Sequence, residues 1–270
     1  MDKESIDRKG KTGMEMKQKV TKPRLHLIDE CRGFWIINMI IYHGIWDLVY
    51  IFGVKWDLFQ QDWTHVWQQV GCSSFIFISG FCWQMSRQNK KRGMQVFLAG
   101  LLITIVTLVF MPSSRVVFGV LTMLGSSMLL MIPCHRLFQK INPLIGLVVS
   151  FLFFQVFYLV NDGYLGIGPM KLIALPSEWY GSLLSSYLGF TQPGFYSTDY
   201  FSMLPWFFMY VVGYFSYSVF LGSNLKEKTT AVLSKSICPP FGWVGRNSLI
   251  IYMLHQPVVY GVLYVWSHMG

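Results

Sequence analysis

The sequence predicts an all-α, polytopic transmembrane helical bundle with about seven spans and a cytoplasmic N-terminus. Two observations lead to this fold class. Hydrophobic residues make up 53% of the 270 residues and charged residues only 13%, whereas a soluble domain carries about 25% charged residues. The apolar residues also form continuous runs rather than short alternating segments, which favours helices over a barrel. This composition excludes a soluble two-domain enzyme and a disulfide-stapled secreted module.

Seven apolar windows are long enough to cross the bilayer. They cover residues 34–53, 66–85, 94–112, 116–133, 143–160, 200–222 and 244–266. Residues 1–33 form a basic cytoplasmic tail, and residues 34–270 form the membrane domain. In this topology 19 of the 22 Lys and Arg fall inside, and only Lys55, Arg115 and Lys171 fall outside. The positive-inside rule therefore explains the net charge of +9, and the lipid bilayer, not nucleic acid, is the expected partner.

The longest segment between spans, residues 161–199, is predicted to lie outside the cell. It is too apolar for a free linker, and Trp179 to Phe190 is too short to span the bilayer. We expect an interfacial or re-entrant helix there, roofing a cavity. Small residues such as Gly80 in the second span and Gly125 in the fourth predict close helix packing and permit a homodimer. The five cysteines form no CxxC pair, so no metal site is indicated.

Ionisable residues inside the predicted spans are the candidates for chemistry. His43 and Asp47 lie four residues apart, hence on one helix face. A carboxylate so placed can accept a hydrogen bond from one imidazole nitrogen and leave the other free to take a proton. His255, close to Pro257 in the last span, lies about 14 Å into the membrane, as His43 does, so the two can share one site. A polar clasp between helices is the alternative, and spacing alone does not decide between them.

Two further histidines are interpreted differently. His65 stands between Trp63 and Trp67 at the outer mouth of the second span, where an aromatic belt explains the tryptophans. His65 remains a candidate pocket residue. His135, at the end of the fourth span, is expected to be solvated.

The stretch from Arg24 to Gly33, followed by a span with His43 and Asp47, resembles the opening of the membrane-bound acyltransferases related to heparan-alpha-glucosaminide N-acetyltransferase, which include bacterial members of unassigned substrate. Similar segments follow in order along almost the whole chain. They are Phe75–Gly80, Phe118–Leu121, Asp199–Phe201, Leu204–Trp206, and Gly245–Leu249 with Tyr252, His255, Gln256 and Pro257. The interval between Arg32 and His43 also looks like that of the broader membrane O-acyltransferases acting on surface polysaccharides.

This resemblance implies an integral membrane enzyme, multi-pass in a bacterial plasma membrane. The donor would be cytosolic acetyl-CoA or another acyl-CoA, and the acceptor an extracytoplasmic glycan hydroxyl or amine. The resemblance places catalysis on His43, with Asp47 and His255 in support. In the lysosomal enzyme the histidine taken as catalytic lies before the second span in a His-x-x-Trp context, and His65 stands at a different spacing from Trp67. His65 is therefore the second choice.

Several polar residues are candidates for binding the donor and stabilising charge. Arg24, Arg32 and Arg246, with Asn247, could hold the phosphates of the coenzyme, although the positive-inside rule alone also accounts for these arginines. His255, Asn38 or Asn247 could donate to the developing oxyanion. The other predicted pocket residues are Asp199, Trp206 and Gln256.

Two other classes of function remain open. A small-solute transporter or flippase would also place His and Asp at mid-depth, but the chain lacks the paired broken helices typical of transporters. A non-catalytic membrane sensor would tolerate the loss of His43 without a chemical effect.

Overall fold

The computed structural model describes residues 24–224 and 226–269, which form ten α-helices and one two-stranded sheet. The long helices are α1 His26–Tyr50, α2 Asp62–Trp83, α3 Asn89–Phe110, α4 Val120–Phe138, α5 Pro143–Val156, α7 Met203–Gly222 and α10 Ser248–Met269. The short helices are α6 Leu183–Leu188, α8 Lys226–Leu233 and α9 Pro239–Arg246. Residues 1–23 of the predicted basic tail lie outside the described residues. Residues 26–33, predicted as part of that tail, form the first two turns of α1.

Among the described residues, five helical segments are long and apolar enough to cross a membrane. They are Asn89–Phe110, Val120–Phe138, Pro143–Asp162, Met203–Gly222 and Ser248–Met269. These segments correspond to the third to seventh predicted spans. The helices α1 and α2 stand where the first two spans are predicted, but polar side chains such as Asn38, His43 and Asp47 make α1 less apolar than the other five segments.

The last predicted span begins at residue 244, and the structure corrects this start. The helix breaks at Asn247, whose Nδ2 donates to the carbonyl oxygen of Trp243 at 2.9 Å. The preceding residues form the separate helix α9, and α10 begins at Ser248. The backbone of Asn247, with φ −100° and ψ 18°, departs from helical geometry and ends α9 there.

The helices place like charges at one end of the bundle. We call the end with Arg32, Lys90, Arg136 and Arg246 the basic end. The opposite end, with the hairpin of strands β1, Tyr164–Ile167, and β2, Met170–Ala174, is the hairpin end. Of the fifteen Lys and Arg within the described residues, twelve lie at the basic end. The remaining three are Lys55, Arg115 and Lys171.

Glycines bring helix backbones into direct contact. A Cβ on Gly80 of α2 would lie 2.0 Å from the carbonyl oxygen of Tyr210 on α7. A Cβ on Gly125 of α4 would lie 2.4 Å from the backbone nitrogen of Phe97 on α3. No side chain fits at either position, so the predicted close packing at Gly80 and Gly125 is confirmed.

The start of α1 is bound to the chain just before α9. The buried carboxylate of Glu30 accepts hydrogen bonds from the Ser236 hydroxyl at 2.5 Å and from the backbone N–H groups of Ile237 and Cys238 at 3.0–3.1 Å. The bond from Ser236, helped by these two N–H groups, holds the pKa of Glu30 below its ordinary value, although burial acts in the opposite direction. Glu30 therefore anchors α9 to α1 at the basic end.

The segment 161–199 contains a β-hairpin that the sequence did not predict. Strand β1, Tyr164–Ile167, pairs antiparallel with β2, Met170–Ala174. The helix expected between Trp179 and Phe190 is only the six-residue α6, preceded by a 3-10 turn at Ser177–Tyr180. Side chains of Ser182 and Ser185 cap the start of α6 reciprocally, which sets where this helix begins.

Candidate functional site

A narrow cleft opens among α1, α2, α10 and the start of α4. Its volume is about 50 Å³. The polar side chains on its wall include Asn38, Tyr42, His43, Gln68, Asp199 and Tyr252. Aromatic and aliphatic side chains from α1 and α2 supply most of the remaining wall. The cleft thus gathers donors, acceptors and an imidazole within an apolar bundle.

Two imidazoles meet at this cleft. The ring centroids of His43 and His255 lie 5.1 Å apart, because α1 and α10 run side by side in the same direction. His43 lines the cleft, whereas His255 is buried and does not belong to its lining. Nδ1 of His255 contacts the carbonyl oxygen of Tyr252, and its Nε2 has no hydrogen-bond partner among the described residues. The structure therefore brings together the two histidines that the sequence placed at equal depth.

The carboxylate predicted to orient His43 has a different partner. Asp47 is fully buried, and both of its oxygens accept from Nε2 of Gln256 at 2.9 Å. No hydrogen bond joins Asp47 to His43 within the described part of the chain, which corrects the predicted pair. The physical reason is that α10 packs against α1 and presents the Gln256 amide to the carboxylate.

Asp199 is the carboxylate on the wall of the cleft. It lies in the segment before α7 and accepts from the Tyr252 hydroxyl at 3.1 Å and from the backbone N–H of Val120 at 3.3 Å. Val120 is the first residue of α4, so the carboxylate sits at a helix N-terminus, where negative charge is stabilised. His43 and Asp199 therefore face the same cleft from α1 and from the α7 side.

The basic residues predicted to bind the donor lie at the basic end, away from the cleft. Arg24 forms an ion pair with Asp29 at 2.8 Å, and its side chain is 56% exposed. Arg32 lies 3.5 Å from the same carboxylate and donates to Cys82 Sγ at 3.2 Å. Arg246 is exposed at the end of α9. Anion binding there must compete with Asp29, which already neutralises part of the charge of Arg24 and Arg32.

Besides His255 and Gln256, which do not line the cleft, three predicted placements differ in the structure. His65 is exposed on α2 and does not line the cleft. Trp206 is buried in the core, with ring centroids 5.0 and 5.7 Å from those of Phe201 and Phe154. His135 is not solvated but half-buried, and its Nδ1 lies 2.7 Å from the hydroxyl of Tyr214.

Asn38 does line the cleft, and its Nδ2 donates to the carbonyl oxygen of Phe34 at 2.9 Å.

Sequence reasoning missed several residues of the cleft wall. Trp35, Met39 and Tyr42 recur every three or four residues with His43, so helical periodicity could have identified this face of α1. Gln68 and Cys72 lie four residues apart on α2, so the same periodicity places them on one face of that helix. Within the described residues, no group of three or more His, Cys, Asp or Glu side chains is arranged to hold a metal ion.

Similarity to a family of known proteins covers most of the chain, including this site. No curated protein and no solved structure matches the chain. A family model described as heparan-alpha-glucosaminide N-acetyltransferase, catalytic, matches residues 24–257. That range contains the cleft, both histidines and the candidate arginines, and it covers 234 of the 270 residues. Together with five helices able to cross a membrane, the match identifies a membrane acetyltransferase. The chain belongs to the family of the heparan-alpha-glucosaminide N-acetyltransferase catalytic domain.

Proposed function

We propose that this protein transfers an acetyl group from cytosolic acetyl-CoA to an extracytoplasmic glycan hydroxyl or amine, and that the reaction takes place at His43 inside the membrane. The observation that carries the proposal is the pair of imidazoles, 5.1 Å apart, beside a polar cleft. The family supports the donor, since its members use acetyl-CoA.

The proposed orientation has the basic end in the cytoplasm of a plasma membrane and α1 and α2 as two further spans. Twelve of fifteen described basic residues at one end agree with the positive-inside rule. The 25 residues of α1 and the 22 of α2 correspond to helices longer than the ~30 Å of hydrocarbon. This gives seven spans in total.

The donor then approaches from the basic end. Arg24, Arg32 and Arg246, with Asn247, are the groups there that can bind its phosphates. Arg32 precedes His43 by eleven residues of one helix, or about 16 Å along its axis. This length is comparable with that of a pantetheine arm, so a thioester held at the basic end can reach the cleft.

The chemistry needs one base and one site for negative charge. In direct transfer, Nε2 or Nδ1 of His43 takes the proton from the acceptor O–H or N–H while the acceptor atom bonds to the carbonyl carbon. The carbon–sulfur bond breaks, and the leaving thiolate takes the proton back from the imidazolium. In the alternative, a nitrogen of His43 attacks the carbonyl carbon, the carbon–sulfur bond breaks, and the leaving thiolate takes the imidazole proton. The acceptor then attacks the acyl-imidazole, the carbon–nitrogen bond breaks, and the proton of the acceptor passes to the imidazole. Asp199 lines the same cleft and is the candidate to stabilise the imidazolium, and the Asn38 amide is a candidate donor to the oxyanion.

Labelled acetyl-CoA tests this function in proteoliposomes that contain the full chain and a panel of glycan acceptors. We expect His43→Ala to lower acyl transfer by about 10²–10⁴-fold, which is the usual contribution of a general base. His268→Ala serves as the matched control, because His268 is exposed at the far end of α10. If the unmodified protein neither transfers the acyl group nor releases CoA with any acceptor, the enzyme proposal is wrong.

A stability measurement separates catalysis from a polar clasp. A catalytic His43 predicts that the alanine variant loses transfer while its unfolding midpoint stays close to that of the unmodified protein. A clasp predicts a lower midpoint instead. If His43→Ala retains full transfer and His65→Ala abolishes it, catalysis belongs to His65.

A further inference from the structure

A second and larger cavity, open to the surface over part of its extent, lies between the cleft and the basic end. Its volume is about 600 Å³, and it is bounded by α1, α2, α7 and α8. Cys31, the neighbour of Arg32 along α1, is part of its wall, as is Leu233 of α8. Its remaining walls are largely aromatic and aliphatic, with hydroxyls from Ser73 and Ser74. The cavity therefore begins beside the residues proposed to bind the donor.

Trp35 is the residue that both cavities share. Its Cε3 and Cζ3 atoms lie 3.6 and 3.8 Å from the place where a Cβ on Gly71 of α2 would stand. The indole thus fills the space between α1 and α2, where Gly71 leaves room for it. Toward the hairpin end lies the cleft with His43, and toward the basic end lies the larger cavity.

The two volumes differ in what they can hold. A cavity of about 150 Å³ binds benzene, with six carbon atoms, so about 50 Å³ has room for two or three heavy atoms. An acetyl group has three heavy atoms, and a butyryl group has five. The larger cavity, at about 600 Å³, has room for many more atoms. Trp35 therefore separates the larger cavity, which can hold a long flexible chain, from the cleft, which can hold an acetyl group.

We propose that Trp35 sets the acyl chain length of the donor. The donor's arm occupies the larger cavity, and the indole leaves room for an acetyl group beside His43 but not for a longer acyl group. A longer chain needs the volume that the indole fills. This inference rests on the proposed acyl transfer and adds to it a residue that determines donor specificity.

The test compares acetyl-, butyryl- and hexanoyl-CoA as donors for the full chain in proteoliposomes. The unmodified protein is expected to prefer acetyl-CoA. We expect Trp35→Ala to raise the rate with hexanoyl-CoA relative to acetyl-CoA by about tenfold or more, since discrimination of one methylene is worth about 10–200-fold in a tight pocket. Trp35→Phe, which removes less volume, is expected to fall between the two. Trp266→Ala is the control, because Trp266 is exposed on α10 and lines neither cavity.

The outcomes separate this inference from the function on which it rests. If the unmodified protein transfers no acyl group from any donor, the proposed function fails. If it transfers acetyl groups but neither Trp35 variant changes the ratio of hexanoyl to acetyl rates, acyl transfer stands and the role of Trp35 is wrong. Equal use of acetyl- and hexanoyl-CoA by the unmodified protein would also overturn the role of Trp35. Should Trp35→Ala fail to fold, the ratio in Trp35→Phe decides.

Discussion

The contact between α2 and α7 predicts a large stability effect for one methyl group. In Gly80→Ala the new Cβ would lie 2.0 Å from the carbonyl oxygen of Tyr210 and 2.9 Å from its carbonyl carbon. Ordinary contact begins at about 3.4 Å, so the two backbones must separate by about 1.4 Å, the difference between 3.4 and 2.0 Å. Both contacts are with backbone atoms, so no side-chain rotation can relieve them.

The expected magnitude follows from two opposing effects. Overpacking a close contact costs about 1–3 kcal/mol, whereas alanine is a better helix former than glycine by about 0.8–1.0 kcal/mol. Gly261→Ala isolates the second effect, because Gly261 lies within α10 and a Cβ there would meet nothing within 4 Å. The difference in unfolding free energy between the two variants should therefore be about 1–3 kcal/mol, with Gly80→Ala the less stable.

Denaturation by SDS in mixed micelles, followed by tryptophan fluorescence, measures this difference. Gly261→Ala is expected to unfold at the same SDS fraction as the unmodified protein or at a higher one, and Gly80→Ala at a clearly lower one. If the two variants unfold within a few tenths of a kcal/mol of each other, the backbones of α2 and α7 do not touch at Gly80, and the packing argument is refuted.

Two further predictions concern buried carboxylates. Asp47→Ala removes both acceptors of the Gln256 amide and leaves that donor without a partner, so it should lower the free energy of unfolding by about 1–3 kcal/mol; a double-mutant cycle with Gln256→Ala should show coupling, and additive effects would contradict the contact. Glu30 has a lowered pKa in the fold, so its stabilisation is full above its ordinary value of 4.5 and is lost as the pH falls below that value. The difference in unfolding midpoint between the unmodified protein and Glu30→Gln should therefore be constant above pH 4.5 and narrow as the pH falls below it; a difference that does not narrow with falling pH would contradict this account.

The positions of the long helices follow from the sequence, because each contains a long and largely apolar run and helices are the simplest way to satisfy backbone groups in lipid. Their ends do not follow from hydropathy. The fourth span was predicted from residue 116, but α4 begins at Val120. Phe118 has a positive φ of 56°, which no helix accommodates, and the Asp199 carboxylate accepts from the first N–H of α4. The bond to Asp199 comes from a distant part of the chain, so a hydropathy window cannot detect it.

The candidate site was predictable where it depended on one helix at a time. The i, i+4 spacing places His43 and Asp47 on one face, and equal distances from the basic end place His43 and His255 at one level. Spacing within a helix does not determine which side chain of another helix will face a carboxylate. The contact of Asp47 with Gln256 is of that kind. The sequence also did not distinguish burial of Trp206 in the core from a place on the pocket wall, because apolar residues would surround Trp206 in either position.

The two carboxylates near the histidines differ in what can reach them, and this difference assigns them different parts in the proposed reaction. Asp47 is fully buried and bonded through both oxygens to Gln256, the neighbour of His255. It fixes α10 against α1 and so keeps the two imidazoles together, but a substrate in the cleft has no access to it. Asp199 lines the cleft itself. Loss of the Asp199 charge removes the only carboxylate on the described cleft wall and leaves the contact between α1 and α10 intact. It should therefore affect the chemical step. Loss of Asp47 should first affect the placement of His255.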